Sequence, residues 1–166
     1  TKALTNVDTD RLKEEKERQI SIEPGFAPLH DDDKMQISII DVPGHERFIR
    51  QMIAGVAGID FVVLVIAADE GVMPQTVEHA EILSFLNIKD GLIALTKADR
   101  VVQELLSLVK EDIKESLKGT MFENVPILPV SSVTGEGCSY LKATIVERLL
   151  NQPERHTYGN FRLPID

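Results

Sequence analysis

Three short runs of residues carry side chains that can bind charged or polar ligands. They read D-V-P-G-H (residues 41–45), T-K-A-D (residues 96–99) and S-S-V (residues 131–133). Each run follows a stretch of apolar, often β-branched residues, which is the pattern of a buried strand. Because the carboxyl ends of parallel strands share one edge of a sheet, the sequence predicts that the three runs meet in one site.

The first run suits the binding of a divalent cation and a phosphate. The carboxylate of Asp41, at the end of a strand, is costly to bury without a partner, and a cation such as Mg²⁺ is a common one. Pro43 fixes the turn, and Gly44 has no Cβ to keep its backbone N–H from a phosphate oxygen. His45 is then placed to orient an attacking water. The alternative is a plain strand-to-helix turn, with Asp41 as the N-cap and His45 exposed.

The second and third runs suit the recognition of a purine base. The carboxylate of Asp99 can accept two parallel N–H bonds from the edge of guanine, a pair that adenine does not offer, while the methylenes of Lys97 cover the ring. The backbone N–H groups of residues 131–133 can meet a carbonyl oxygen of the base. The alternative is that Asp99 caps a helix and that Lys97 is an ordinary surface charge.

Strands and helices alternate along the chain, which predicts an α/β fold with a mostly parallel sheet. A hairpin precedes this pattern, around the polar residues 30–34, and residues 8–18 are expected to form a solvated helix or a mobile loop. The predicted strands cover residues 21–29, 35–41, 60–68, 91–95 and 125–130, and the predicted helices cover residues 1–4, 46–56, 75–86, 101–117 and 141–150.

The amino-acid composition argues against several classes of protein. The chain has 27 acidic and 18 basic residues, a net charge of -9, which argues against a general nucleic-acid or membrane-surface binder but leaves a local RNA contact open. The single cysteine, Cys138, fits a reducing compartment, and no apolar run approaches the ~20 residues that span a bilayer. We therefore expect a soluble, cytoplasmic protein with no membrane contact, in which His30 and His79 lie at the surface or in the hairpin.

The three runs resemble motifs of the translational GTPases. D-V-P-G-H resembles the third motif of that family with its water-orienting histidine, T-K-A-D the guanine-reading motif that usually reads N-K-x-D, and S-S-V the fifth motif. The run E-R-Q-I-S-I (residues 17–22) is similar to the first switch segment, commonly R-G-I-T-I. Ser21 then stands where a threonine ligates Mg²⁺, and Gln19 stands where the family usually has glycine.

Three longer stretches look most like the bacterial selenocysteine-specific elongation factors: residues 8–16, 44–52 and 71–79. The elongation factor Tu family and the gamma subunits of archaeal initiation factor two are alternatives, although their switch segments match less well. The resemblance implies a P-loop-NTPase-like G domain over residues 1–150 and a linker into a following domain over residues 151–166. It also implies GTP hydrolysis coupled to the delivery of selenocysteinyl-tRNA to the ribosome, with an mRNA element read by later domains.

The resemblance assigns a role to each candidate residue. GTP or GDP and Mg²⁺ are the implied ligands, with His45 as the catalytic residue and Asp41 and Ser21 on the metal. The residues implied to contact the nucleotide are Gly44, Thr96, Lys97, Asp99, Ser131, Ser132 and Val133.

One family motif is absent from the sequence. No G-x-x-x-x-G-K-[ST] loop occurs in the 166 residues, and T-K-A-L (residues 1–4) looks like the segment that follows this loop in the family. We therefore expect that the chain starts past the P-loop and its mid-sheet strand, and that by itself it binds GTP poorly and is inactive. A nucleotide-free interaction module derived from a G domain remains an alternative. A dinucleotide-binding oxidoreductase is excluded because no G-x-G-x-x-G follows a strand.

Overall fold

Helices and strands alternate along the computed structural model, which describes residues 1–18, 20–31, 35–56, 58–86, 88 and 90–153. Every element predicted from residue 46 onward is present, with ends that differ by three residues or fewer. In chain order the elements are α1 (Lys2–Thr5), α2 (Lys13–Arg18), β1 (Gly25–Asp31), β2 (Gln36–Asp41), a 3-10 turn (Glu46–Phe48), α3 (Ile49–Val56), β3 (Val62–Ala67), α4 (Pro74–Phe85), β4 (Gly91–Thr96), a second 3-10 turn (Ala98–Arg100), α5 (Gln103–Ser116), β5 (Ile127–Pro129) and α6 (Cys138–Leu150).

The parallel sheet has the order β3-β4-β5, with β4 in the centre. Val62 lies opposite Gly91, and Ile93 lies opposite Ile127. Residues 91–95 of β4 are all buried, as expected for a continuous apolar run that is covered on both faces. The prediction of parallel strands joined by crossover helices is confirmed.

The predicted hairpin is present as β1 and β2, which pair antiparallel with Gly25 opposite Asp41. The described strands form two sheets, so the hairpin is not hydrogen-bonded to the parallel sheet. The first strand begins at Gly25 and not at residue 21, because the N–H groups of Ile22 and Glu23 are bound to the carboxylate of Glu15. Residues 32–34 of the predicted turn lie outside the described part of the chain.

The core consists of two layers, one on each face of the parallel sheet. Helices α3, α4 and α5 cover one face, where Leu64 and Ile66 alternate with residues that point to the other side. Helix α6 and the hairpin cover the second face, where Leu92 and Ala94 pack, and α1 contacts α6 and β1. The predicted α/β class, with helices on both faces, is confirmed. Within the described residues, no helix combines the length and the apolar character needed to cross a membrane.

Candidate functional site

The loops that follow β4 and β5 are joined to each other. The N–H of Ala98 donates to the carbonyl of Val130 at 3.2 Å. Ser131 is fully buried, and its Oγ accepts hydrogen bonds from the N–H groups of Val133 (3.2 Å) and Thr134 (3.1 Å). These two bonds close the second loop into a tight turn. The structure therefore brings residues 96–99 and 131–133 together, with Ser132 and Val133 exposed to solvent.

Hydrogen bonds of the chain itself fix the turn at residues 96–99 against the sheet. The Thr96 hydroxyl donates to the carbonyl of Ile66 in β3 at 3.2 Å. Lys97 adopts a left-handed backbone conformation, with φ 56° and ψ 30°, which is uncommon for a residue with a Cβ. The N–H of Arg100 donates to the Lys97 carbonyl at 3.0 Å, which closes the turn. Asp99 lies within this turn and is exposed, so its carboxylate is accessible to a ligand.

Lys97 forms ion pairs with two acidic residues that the sequence analysis missed. Its Nζ lies 2.6 Å from Oε1 of Glu70 and 3.0 Å from Oδ1 of Asp69. Hydrogen bonds to Glu70 and Asp69 raise the pKa of Lys97 above its ordinary value. The available signal was the position of the two acids, which come directly after a buried strand, as the residues of the predicted site do.

The run at residues 41–45 lies at the end of the hairpin. Asp41 is the last residue of β2, and its Oδ2 accepts a hydrogen bond of 2.6 Å from the Thr9 hydroxyl. Gly44 is exposed, and a Cβ at this position would meet no heavy atom within 4 Å. His45 is exposed and caps the 3-10 turn, with its Nδ1 accepting from the N–H of Arg47 at 3.3 Å. His45, and not Asp41, is therefore the N-cap.

Ser21 lies in the segment between α2 and β1. Its hydroxyl donates to Oδ1 of Asp10 at 2.8 Å, so both predicted metal ligands, Ser21 and Asp41, are engaged in hydrogen bonds within the chain. No group of three or more His, Cys, Asp and Glu side chains in the described residues is placed to hold a metal ion. Hydroxyl and carboxylate oxygens are nevertheless the donors that Mg²⁺ prefers, and sites shared with substrate phosphates use only one or two protein carboxylates.

A buried carboxylate, that of Glu15 in α2, organises the segment around Ser21. Only 2% of Glu15 is exposed, and its two oxygens accept four backbone N–H groups at 2.8–3.1 Å, from Arg11, Leu12, Ile22 and Glu23. These bonds, above all that from Ile22, outweigh the opposing effect of burial and lower the pKa of Glu15 to about 2. The expectation of a solvated helix or mobile loop is wrong at this residue, which ties both flanks of α2 together.

His79 in α4 also differs from its expected surface position. It is half-buried, and its Nε2 is buried without a hydrogen-bond partner among the described residues. Burial lowers the pKa of His79, against a smaller opposing effect of Glu78. The reason is packing: α4 covers the parallel sheet, and nothing in the local sequence shows how far round the helix that cover extends.

The family model of the elongation factor Tu GTP binding domain matches residues 1–152. The chain belongs to this family. It is 53% identical to the selenocysteine-specific elongation factor of Desulfomicrobium baculatum and 42% identical to that of Escherichia coli (strain K12), in each case over 99% of the chain. It spans 26% of the length of each of these relatives. The resemblance inferred from the motifs is confirmed: the chain is a translational GTPase G domain.

Solved structures agree with this assignment. The crystal structure of bacterial selenocysteine-specific elongation factor EF-Sec superposes with a TM-score of 0.83 at 44% identity, over 92% of this chain and 26% of that one. Elongation factor SelB from Methanococcus maripaludis, in complex with the GTP analogue GppNHp, gives a TM-score of 0.77 at 30% identity, over 93% of this chain and 31% of that one. The predicted fold class is confirmed by these G-domain structures.

Proposed function

We propose that this G domain binds and hydrolyses GTP in a translation factor that delivers selenocysteinyl-tRNA to the ribosome. The observation that carries the proposal is the hydrogen bond between the Ala98 N–H and the Val130 carbonyl, which brings the turn of Asp99 beside the loop of Ser131. These loops carry the motif pair of a guanine site. Relatives named selenocysteine-specific elongation factor, at up to 53% identity, support the finer assignment.

The guanine end of the site, residues 96–99 and 131–137, would hold the base. Asp99 is exposed at its turn, where its carboxylate can accept two N–H bonds from guanine. The stem of Lys97 would cover the ring, and Thr96 would hold the turn against β3 through its bond to Ile66. Within residues 131–133, the backbone N–H of Ser132 would meet the guanine carbonyl. Ser131 and Val133 would shape the loop, because their N–H groups donate to the Glu136 carbonyl and to the Ser131 Oγ. Adenine fits this set poorly, because it lacks the paired donors.

The phosphate end, residues 8–24 and 41–48, would act on the triphosphate. Gly44 is exposed, and its N–H would donate to the terminal phosphate. The exposed imidazole of His45 would orient the attacking water. Asp41 and Ser21 would hold Mg²⁺, directly or through water, once their hydrogen bonds to Thr9 and Asp10 open. When bound, the metal neutralises phosphate charge.

The relatives support a proposed domain boundary and proposed partners. Residues 1–150 would form the G domain and residues 151–166 a linker, although residues 154–166 lie outside the described part of the chain. Because the chain spans 26% of the D. baculatum relative, contacts with the mRNA element would belong to other domains. The proposed partners are an aminoacyl-tRNA and the ribosome, and the protein would act with them in the cytoplasm.

The test of the base contact is Asp99→Asn in the full-length protein. We expect the preference to move from guanine to xanthine nucleotides by about a hundredfold, because an amide offers a donor where guanine also has donors. Competition between GDP and XDP for the protein measures this ratio. Asp112→Asn, on the exposed face of α5, is the matched control and should leave the ratio unchanged. A guanine preference that survives Asp99→Asn would rule out the assigned contact.

A nucleotide-free interaction module is the second candidate. The pairing of Asp41 with Thr9 and of Ser21 with Asp10 favours it, because both metal ligands are already satisfied. Equilibrium binding of Mg-GTP separates the two: we expect the full-length protein to bind and the 166-residue chain alone to bind weakly. The reason is that the chain contains no P-loop motif to cradle the phosphates. Micromolar or tighter binding by the chain alone would contradict this expectation.

A further inference from the structure

Two acidic side chains after β3 reach across to the turn that carries Asp99. We call Asp69 and Glu70 the acidic clamp. Asp69 lies 3.0 Å from Nζ of Lys97 through Oδ1 and 3.4 Å from Nη1 of Arg100 through Oδ2. Glu70 lies 2.6 Å from the same Nζ. The clamp therefore binds residues on both sides of Asp99 in the chain.

The acidic clamp directly follows a strand of the buried parallel sheet, which holds it in place. Residues 69 and 70 follow the last residues of β3, where the N–H of Ala68 donates to the Thr96 carbonyl at 2.8 Å and the N–H of Gly71 donates to the Ala67 carbonyl at 2.9 Å. The side chain of Asp69 is only 25% exposed. A carboxylate fixed in this way and paired with two cations limits the positions that the ends of the turn can take.

The turn needs such a restraint. Lys97 has a φ of 56°, a conformation that costs about 1 kcal/mol for a residue with a Cβ. Its ammonium would otherwise move freely on a four-carbon stem, and the stem is the part that would cover the base. Holding the ammonium at Glu70 and Asp69 limits the stem to few rotamers before a ligand arrives, which reduces the entropy lost on binding.

We propose that Asp69 and Glu70 are positioning residues for base recognition: Asp69 orients the turn of Asp99 through Lys97 and Arg100, and Glu70 holds the stem of Lys97 over the base. This inference rests on the proposed guanine site and adds to it two residues outside the three motifs. The clamp does not contact the base itself and acts through Lys97 and Arg100. It should therefore change the affinity for the nucleotide and the discrimination between bases.

The first test is Asp69→Asn in the full-length protein, with GDP and IDP as ligands. Hypoxanthine lacks the 2-amino group of guanine, so the ratio of the two dissociation constants reports the contact between Asp99 and that group. We expect the Kd for GDP to rise about tenfold and the preference for GDP over IDP to fall about threefold. Asp112→Asn, the same change on the surface of α5, should alter neither quantity.

A purely structural role for Asp69 would lower the fraction of folded protein without changing the GDP to IDP ratio of the folded molecules. An unchanged ratio therefore overturns the positioning role of Asp69, whatever happens to stability. A wild-type protein that binds GDP no better than IDP overturns the proposed function itself, and the inference with it. A wild type that prefers GDP, with a variant that keeps the full preference, overturns the inference alone.

The second test uses Glu70→Gln, whose side chain is 56% exposed and so can be replaced without disturbing the fold. With Lys97 in place, Glu70→Gln should raise the Kd for GDP about threefold. In a protein that already carries Lys97→Met, the same change should leave the Kd unaltered. This cycle isolates the part of the Glu70 effect that acts through Lys97. An equal rise in both backgrounds would overturn the role assigned to Glu70.

Discussion

In the proposed guanine end, the loops follow strands of a buried parallel sheet, whereas in the proposed phosphate end the segment of Ser21 is held by polar contacts around the short helix α2. Ala98 and Val130 are joined backbone to backbone, and Ser131 closes its own loop. Ser21, by contrast, belongs to a segment fixed mainly by the carboxylate of Glu15. Polar contacts can exchange for ligand contacts, while a parallel sheet cannot rearrange without loss of core packing.

In the proposed site, the guanine end would therefore be formed before a ligand binds, and the phosphate end would adapt to it. In the proposed site, Asp99 would meet the base without a local change, because it is exposed on a turn that the sheet supports. To hold a metal ion, Asp41 and Ser21 would first have to release Thr9 and Asp10. The free energy of those two hydrogen bonds, about 1 kcal/mol each, would therefore oppose metal binding.

The largest expected effect comes from Glu15→Gln. The amide keeps acceptor capacity on only one oxygen and turns its –NH₂ toward two backbone N–H groups, so we expect a loss of about 3 kcal/mol in the segment 8–24. Hydrogen–deuterium exchange measures this as loss of protection at the N–H groups of Arg11, Leu12, Ile22 and Glu23. The control is Glu14→Gln, an exposed residue whose ion pair with Arg18 spans 3.7 Å. Equal loss of protection at residues 131–137 would show that the two ends are not independent.

Acid should weaken the segment around Glu15 without a mutation. The pKa of Glu15 is lowered from 4.5 to about 2, so its stabilisation is fully present above pH 4.5 and is lost as the pH falls from 4.5 toward 2. About 2 kcal/mol should be gone at pH 3. A ¹³C NMR titration of the Glu15 carboxyl reads its pKa directly. A midpoint near 4.5 in the folded protein would contradict the four-bond geometry.

The smallest expected change in stability is the difference between two glycine variants in the loop after β5. Gly135 and Gly137 have φ values of 80° and 74°, but a Cβ at Gly135 meets nothing within 4 Å, whereas one at Gly137 would collide with the Pro129 carbonyl. Both alanine variants lose about 1 kcal/mol through backbone strain, and Gly137→Ala should lose about 1 kcal/mol more. Urea unfolding measures the free energy of unfolding of both variants. Equal losses would show that the loop after β5 moves enough to accommodate a Cβ at residue 137.

Much of the fold was predictable because its signals are local. The alternation of apolar runs with helical periodicity located β3, α4, β4 and α5 to within a few residues. The motif runs at residues 96–99 and 131–133 were recognisable for the same reason, since each is a contiguous string of residues at a strand end. Residue types and spacing along the chain are sufficient for such features.

The pairing of polar side chains, in contrast, depends on how distant segments pack. Glu15 lies among exposed charges in the sequence, yet it is buried because N–H groups seven and eight residues further along bind its carboxylate. Asp69 and Glu70 meet Lys97 across 27 or more residues, and only the parallel pairing of β3 with β4 brings them together. Periodicity records which face of an element is apolar. The partner of a polar group depends on how distant segments pack, which no local pattern contains.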